Sequence, residues 1–262
     1  YTSVFPLPLG RRLGQLGVLQ PYFTQQLGLF TTPQSNCKSM GPYLQLIPGK
    51  YKSIYLQLNT ANTAQAKNNT EQLAVKERVT YHLPLLLPYG ELVKQYRNRH
   101  KLHKAQRSGV QVKLLEDIQP LIQLFRHTKG KELSEVKDKH YRLLANLYRV
   151  LRQHQAAELW QVVNAAGEAI AAALFLLQPD KIIFLFSGAN EEGRRTAAMT
   201  LLLDSVISRF AGTSRILDFE GSMVPSVAKF YANFGATPVT YVSLTRQHTP
   251  WYLLWKEAIS TS

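Results

Sequence analysis

The order of apolar patterns in the C-terminal half of the chain constrains the fold more than any other feature. Three successive apolar runs have strand character, and they are followed by alternating helical and strand patterns. The strands are expected at 157–165, 169–178, 182–189, 215–221, 237–244 and 251–255, and the helices at about 193–210 and 224–234. This order predicts an α/β (mixed α+β) fold in which helices pack on a mixed, twisted sheet.

The N-terminal half has shorter and less regular patterns. Two short strands around a Gly-rich turn are expected within residues 4–21, and an almost purely polar stretch at 59–72 predicts an exposed loop. Further strands are expected at 51–58 and 75–87, and helices at about 88–108, 117–130 and 136–154. Together with the C-terminal half, these elements give a chain long enough to form one large domain or two smaller ones.

Charge is the strongest compositional signal. The 262 residues include 31 Lys and Arg against 17 Asp and Glu, which gives a formal net charge of +14. Such an excess favours anionic partners, whether nucleic acid, phosphate-bearing cofactors or an acidic membrane surface. The sequence contains no run of 18 consecutive apolar residues, so no membrane span is predicted. The single cysteine, Cys37, excludes an internal disulfide and favours a reducing, cytoplasmic location. Since the chain begins at Tyr1 rather than Met, we expect residues to precede it.

The predicted helix at 88–108 carries a concentrated basic segment. Between Lys94 and Arg107 there are six Lys or Arg, two His and no acidic residue. On one continuous helix, most of these cations would share an arc of about 140°. We expect Arg97, Lys101 and Lys104 to bind an anion, and the alternative is a merely solvated face. No carboxylate or cysteine nearby completes a ligand set with the two histidines, so no metal is expected.

A second candidate anion site lies where the strand at 182–189 turns into the next helix. The turn contains two glycines and two arginines, and a helix N-terminus offers free N–H groups and a positive dipole end. The alternative is that the arginines are only exposed loop residues. The residues expected to bind a phosphate-bearing cofactor are Ser187, Gly188, Asn190, Gly193, Arg194 and Arg195.

The stretch LDFEGSMVPSVAKFYANFGATPV, residues 217–239, provides the candidate catalytic groups. Strand alternation places Asp218 and Glu220 on one face, where a carboxylate can bind a substrate amine and accept its proton. The alternatives are that Asp218 pairs with an arginine and Glu220 with a helix N-terminus. Ser222 is expected to cap the following helix and to contact the substrate. Tyr231 could donate a proton to a leaving group, or simply belong to the core.

These motifs resemble those of the GNAT acyltransferases. The order of elements from 156 to 255, with a helix ending in FYANFGA, is similar to the GNAT fold. Asn190, Gly193 and Arg195 stand at the positions of the GNAT phosphate-binding loop, and Gly193 matches its pattern. YRNRHKLHKAQRSGV, LDFEGSMVPSVAKFYANFGA and QPYFTQQLGLF resemble segments of the Fem-type branch and its uncharacterised bacterial relatives.

The resemblance implies a tandem GNAT-like (acyl-CoA N-acyltransferase) fold. Residues 1–90 would be a truncated first unit, 91–109 a basic connecting helix, and 110–262 the second GNAT-like domain. It further implies an N-acyltransferase that moves an acyl or aminoacyl group from acyl-CoA or aminoacyl-tRNA to a small-molecule or peptide amine, without a metal. A catalytically decayed module that only binds an anionic ligand is the alternative. No hydrolase or kinase signature competes with these two hypotheses.

Overall fold

The computed structural model describes residues 1–12, 15–68, 73–133, 136–221 and 223–246. The strands are β1 (Ser3–Val4), β2 (Leu9–Arg12), β3 (Gln15–Val18), β4 (Phe30–Thr31), β5 (Ser53–Gln57), β6 (Ala74–Pro84), β7 (Gln111–Leu115), β8 (Ala157–Val163), β9 (Ala169–Leu177), β10 (Lys181–Ala189), β11 (Ile216–Asp218) and β12 (Thr237–Arg246). The helices are α1 (Gly41–Gln45), α2 (Thr63–Asn68), α3 (Tyr89–Lys94), α4 (Arg99–Arg107), α5 (Gln119–His127), α6 (Asp138–Gln153), α7 (Glu191–Arg195), α8 (Ala198–Phe210) and α9 (Pro225–Ala232).

The chain divides into two compact units. One consists of Tyr1–Val79 together with the chain from Thr240 onward, and the other of Thr80–Val239. These limits differ from the predicted ones at 90 and 110, because the end of β6 and the helices α3 and α4 belong to the second unit. A GNAT-like character of the first unit stays a prediction.

The second unit contains a mixed sheet with the strand order β6, β11, β10, β9, β8 and β7. Only β10 and β11 in this series run parallel, and the other pairs are antiparallel. Helix α8 packs on β8 and β9 and is covered by α4, while α5 packs on β9 and β10. Fully buried Phe175, Leu202 and Phe219 lie in the core between these elements. The predicted mixed sheet flanked by helices is confirmed.

The parallel pair separates soon after it begins. β11 is paired with β10 only at Lys181–Ile183, whereas β9 follows β10 on its other edge as far as Ala189. A bulge interrupts that second ladder between Phe184 and Phe186. The second half of β10 therefore lies beyond the end of β11, and this divergence opens space inside the unit.

The first unit has its own strands and core. Its strands follow the order β2, β3, β5 and β12, with β3 parallel to β5 and β12 antiparallel to it. The predicted exposed loop at 59–72 is wrong in its first part, since a 3-10 turn at Thr60–Asn62 leads into α2. Buried Asn62 explains the turn, because its side-chain oxygen accepts a hydrogen bond of 2.7 Å from the Leu29 N–H.

Two long predicted helices are each interrupted. The helix expected at 88–108 ends at Lys94 and resumes at Arg99, and the Asn98 side chain caps the new start. The helix expected at 193–210 begins earlier, at Glu191, and is broken at Ala197, whose φ is 58°. The strand expected at 251–255 lies outside the described residues. None of the helices in the described ranges is long and apolar enough to cross a lipid bilayer.

Candidate functional site

A cavity of about 260 Å³ lies between the second half of β10 and helix α9. It occupies the space that opens where β11 no longer follows β10. Its lining combines the end of β10, the last turn of α7, the start of α8, one face of α9, and the turn after α5. The residues are Thr128, Lys129, Phe184, Ser187, Gly188, Ala189, Arg194, Met199, Ser226, Val227, Phe230 and Tyr231.

Four of the residues named from the sequence meet in this cavity: Ser187, Gly188, Arg194 and Tyr231. Gly188 permits the close approach of α5, because a Cβ there would lie 3.1 Å from the Phe125 backbone nitrogen. The strand end that carries Ser187 is thus held against α5 by backbone packing. The cavity wall on this side is fixed by the core rather than by a free loop.

The start of α7 does not offer the free N–H groups expected of a phosphate seat. Asn190 caps the helix, and its Oδ1 accepts the Gly193 N–H at 2.8 Å. Glu191 and Glu192 fill the first turn, and Glu192 is held in place by a 3.1 Å hydrogen bond from the Asn164 side chain. These two carboxylates oppose an anion at this end of the helix. The residues present therefore do not fit the usual GNAT loop for a coenzyme A diphosphate.

Gly193 has a packing role. A Cβ at this position would lie 2.2 Å from the Ile170 carbonyl oxygen, so only glycine lets α7 lie so close to β9. Asn190 lines a separate pocket of about 330 Å³ together with His127 and Thr128. Arg195 is exposed and is not part of the 260 Å³ cavity. Binding of a cofactor by these three residues stays a prediction.

Two cations from separate elements line the cavity. Arg194 lies in the last turn of α7, and its Nη1 donates a 3.0 Å hydrogen bond to the Ala189 carbonyl oxygen at the end of β10. Lys129 belongs to a 3-10 turn, Lys129–Lys131, directly after α5. Lys129 was not predicted from the sequence, since a lysine in a short polar turn carries no signal of its own. Both side chains are exposed to solvent, as a binding group at a cavity mouth must be.

Tyr231 forms the aromatic wall of the cavity. Its ring stacks on Phe219 with centroids 4.7 Å apart and meets the ring of Phe184 edge-on at 6.2 Å. Burial, and then the nearby charge of Glu220, raise the pKa of Tyr231 to about 12. The phenol therefore keeps its proton at neutral pH, and a phenol held in this way can act as a proton donor.

Asp218 is a buried structural anchor. Its Oδ1 accepts a 2.6 Å hydrogen bond from the Thr80 hydroxyl, and its Oδ2 lies 3.1 Å from the Lys181 ammonium. His82 Nε2 also lies 3.1 Å from Oδ2, without the alignment of a hydrogen bond. Burial, the largest influence, works to raise the pKa of Asp218, but His82, Lys181 and Thr80 together outweigh it and lower the pKa to about 2. A carboxylate with this pKa is a poor base at neutral pH.

Glu220 does not share a face with Asp218 by strand alternation. β11 ends at Asp218, and Glu220 has a φ of 52°, which is rare for a residue with a side chain. The Glu220 N–H donates a 2.9 Å hydrogen bond to Asp218 Oδ1, which holds the backbone in this conformation. The carboxylate of Glu220 comes close enough to Tyr231 to influence its pKa. Ser222, the third residue expected here, lies outside the described residues.

The basic segment at 94–107 is not one continuous stripe. Lys94 belongs to α3 and pairs with Glu91 at 2.6 Å, and Arg97 lies in the break between the two helices. Lys101 and Lys104 remain on the exposed side of α4, while Leu102 of the same helix is buried. The geometric basis for a single 140° arc is thus wrong, because it assumed an unbroken helix. Anion binding by Arg97, Lys101 and Lys104 stays a prediction.

Two of the three segments that carried the Fem-type resemblance, 96–110 and 217–236, meet in the structure. The Tyr96 ring packs edge-on against Phe234 at 5.3 Å, and the Arg97 N–H donates to the Asn233 carbonyl oxygen at 2.9 Å. Gly235 closes α9 with a φ of 86°. The break between α3 and α4 is therefore held on the end of α9, the helix that carries Tyr231.

A buried carboxylate that the sequence analysis missed lies in α8. Asp204 accepts hydrogen bonds from the hydroxyls of Tyr89 and Tyr96, each at 3.0 Å. Burial raises the pKa of Asp204 more than these two hydrogen bonds lower it. An acidic residue within the apolar pattern of 199–210 was the available signal. Within the described residues, no three or more His, Cys, Asp or Glu side chains form a group that could hold a metal ion.

Comparison with known proteins agrees with this architecture. Residues 94–221 match the family model described as an Acetyltransferase (GNAT) domain, and the match lies within the second unit. No curated protein matches the chain by sequence.

Three solved structures share the fold at low sequence identity. A conserved protein of unknown function from Bacteroides thetaiotaomicron VPI-5482 is 8% identical with a TM-score of 0.60, and the match covers 89% of this chain and 80% of that one. FemX is 15% identical with a TM-score of 0.54, and the match covers 74% of this chain and 72% of FemX. L-PGS from Bacillus licheniformis is 9% identical with a TM-score of 0.50, and the match covers 77% of this chain and 70% of L-PGS. At these identities the likeness shows the fold alone.

Proposed function

We propose that the protein, whose residues 94–221 match the family model of a GNAT acetyltransferase domain, transfers an acyl or aminoacyl group from an activated, phosphate-bearing donor to an amine. The observation that carries this proposal is the cavity between β10 and α9, with Tyr231 in its wall. The donor is acyl-CoA or aminoacyl-tRNA, and the acceptor is a small-molecule or peptide amine. Such a transfer depends chiefly on holding two reactants together, for which a cavity open on one side to solvent is suited.

The proposed reaction needs one bond formed and one broken. The amine nitrogen attacks the acyl carbonyl carbon, forming the new C–N bond, and the bond from that carbon to the donor's sulfur or oxygen breaks. The leaving group takes a proton, and the amine loses one. We assign the first of these protons to the Tyr231 hydroxyl, whose raised pKa keeps it protonated until the leaving group needs it.

Glu220 is the proposed acceptor of the amine proton. It lies near Tyr231, is partly exposed, and is placed by a strained backbone that Asp218 holds. Asp218 is thereby a positioning residue, because its own carboxylate is buried and fully engaged. The two carboxylates that the sequence placed side by side thus have different tasks in this proposal.

The test is a transfer assay on the purified chain with acetyl-CoA and with aminoacyl-tRNA, each against a panel of primary amines. With the donor that is active, we expect Tyr231→Phe to lower kcat about 100-fold. KM should change little, since the phenyl ring keeps its stack on Phe219. Glu220→Gln should lower kcat/KM, because an amide cannot accept the proton of the amine.

Tyr81→Phe is the matched control. Its ring lies 6.1 Å from that of Tyr231, but Tyr81 does not line the cavity. We expect it to retain kcat within about twofold. If the folded wild-type chain transfers nothing from either donor, the proposed function is wrong and a module that only binds an anion is favoured. If Tyr231→Phe retains full kcat, the assignment of the proton donor is wrong.

A further inference from the structure

The cavity divides chemically into an apolar interior and a cationic margin. Phe184, Met199 and Phe230 contribute apolar surface, whereas Lys129 and Arg194 bring positive charge. Among the described residues that line it, none is acidic. An occupant that suits both parts has an uncharged, partly apolar end and an anionic end.

The anionic end cannot be placed on the start of α7 without cost. The Gly193 N–H is already taken by Asn190, and the carboxylates of Glu191 and Glu192 lie in the same first turn. Glu192 is not free to swing away, since Asn164 holds it. A phosphate there would meet like charges at short range, which disfavours binding.

The Arg194 side chain, in contrast, lines the cavity and is held there by a hydrogen bond. Its bond to the Ala189 carbonyl oxygen draws the guanidinium over the end of β10. This bond uses one of the five N–H donors of a guanidinium, and a phosphate can accept from the others. Lys129 approaches the same cavity from a different element and adds a second point charge. Two cations on independent elements can hold an anion from two sides.

Resting on the proposed function, we propose that Lys129 and Arg194 bind the phosphate groups of the donor with their side chains, in place of the helix N-terminus that GNAT loops use. The ligand class is a phosphate ester whose uncharged end enters the cavity. Coenzyme A and the 3′ end of a tRNA share this chemistry, and the experiment below separates them.

The test measures equilibrium binding without any transfer. Calorimetric titrations compare coenzyme A with pantetheine, which has the same thiol arm but no phosphate. We expect Lys129→Gln and Arg194→Gln each to weaken coenzyme A binding about 10-fold and the double variant about 100-fold, because each removes a charge-assisted contact. Pantetheine binding should stay within about twofold in all variants.

Lys131→Gln is the matched control, since it removes one positive charge from the turn that carries Lys129 but lies outside the cavity lining. It should bind coenzyme A within about twofold of the wild type. A loss as large as those of the cavity variants would overturn the proposal, as would wild-type affinity in Lys129→Gln and Arg194→Gln. If the wild type binds aminoacyl-tRNA and not coenzyme A, the same variants decide the question with that ligand. If the wild type binds neither ligand, the proposal is wrong.

The two proposals fail differently. Cation-dependent binding without any acyl transfer would contradict the proposed function and leave the phosphate site standing. Transfer that Lys129→Gln and Arg194→Gln leave unchanged in both KM and kcat would contradict the phosphate site alone.

Discussion

Two buried aspartates of the second unit differ in the direction of their pKa. Asp218, at the end of β11, is 2% exposed, and Asp204, in the middle of α8, is 5% exposed. Yet the pKa of Asp218 is lowered to about 2, whereas that of Asp204 is raised. Burial alone therefore does not decide whether a carboxyl group in this core stays charged.

The difference arises from the partners. Asp218 lies beside His82, Lys181 and the Thr80 hydroxyl, and their combined influence outweighs the loss of water. Asp204 accepts hydrogen bonds from the hydroxyls of Tyr89 and Tyr96, which are dipoles without net charge. Burial and the nearby Asp204 carboxylate raise the pKa of Tyr89 in turn, to about 12. Asp218 is therefore held by an ion pair. Asp204 is held by hydrogen bonds from uncharged hydroxyl groups, and its bond from Tyr89 links α8 to α3.

The largest expected effect is that of Asp218→Ala. This variant leaves the partly buried Lys181 without its carboxylate and removes the acceptor of the Glu220 N–H. Breaking one side of a buried ion pair costs about 3–5 kcal/mol. Urea unfolding at pH 7 measures the loss. A cost below about 1 kcal/mol would show that Lys181 finds water easily, and the proposed contrast with Asp204 would then weaken.

The second effect is the pH dependence of the stability that the Asp218 carboxylate contributes. The folded pKa of Asp218 lies below its ordinary value of 3.8, so its contribution is fully present above that value and is lost as pH falls towards 2. The shift corresponds to about 2 kcal/mol in the free energy of unfolding. The difference in stability between the wild type and Asp218→Asn should therefore shrink between pH 5 and pH 2. A difference that stays constant over this range would contradict the lowered pKa.

A smaller effect is expected from Tyr96→Phe. It removes one of the two hydroxyl donors of Asp204 while the ring keeps its contact with Phe234. The lost hydrogen bond to a carboxylate is worth about 1.5 kcal/mol, measured by urea unfolding at pH 7. Tyr81→Phe, a ring with no bond to Asp204, is the control. If both substitutions cost the same, the hydroxyl contact to Asp204 contributes nothing.

The smallest effect should come from Asp204→Asn, below about 1 kcal/mol. The amide oxygen can accept from both tyrosines, and the substitution removes the burial cost of a charge. A raised folded pKa means that this cost is present at neutral pH and relieved in acid, the opposite sense to Asp218. Of the variants compared, Asp204→Asn should therefore show the smallest decrease in the free energy of unfolding at pH 7, measured by the same urea assay. A cost equal to that of Asp218→Asn would remove the distinction between the two sites.

Much of the second unit could be predicted from the sequence. The strands and helices from 157 to 246 follow the apolar periodicity, and Ser187, Gly188, Arg194 and Tyr231 do line one cavity. The errors have local physical causes. Alternation failed at Glu220 because the strand ends two residues earlier. The single basic arc failed because the helix stops at Lys94 and restarts at Arg99.

The sequence by itself determined which segments form strands and helices and in what order, because hydrophobic periodicity acts between residues close in the chain. Only the tertiary structure decided how far β11 follows β10, that Lys129 and Arg194 line one cavity, and which groups face Asp218 and Asp204. Those outcomes depend on contacts between segments far apart in sequence. Charge, burial and strand divergence act there through space, and no local pattern encodes them.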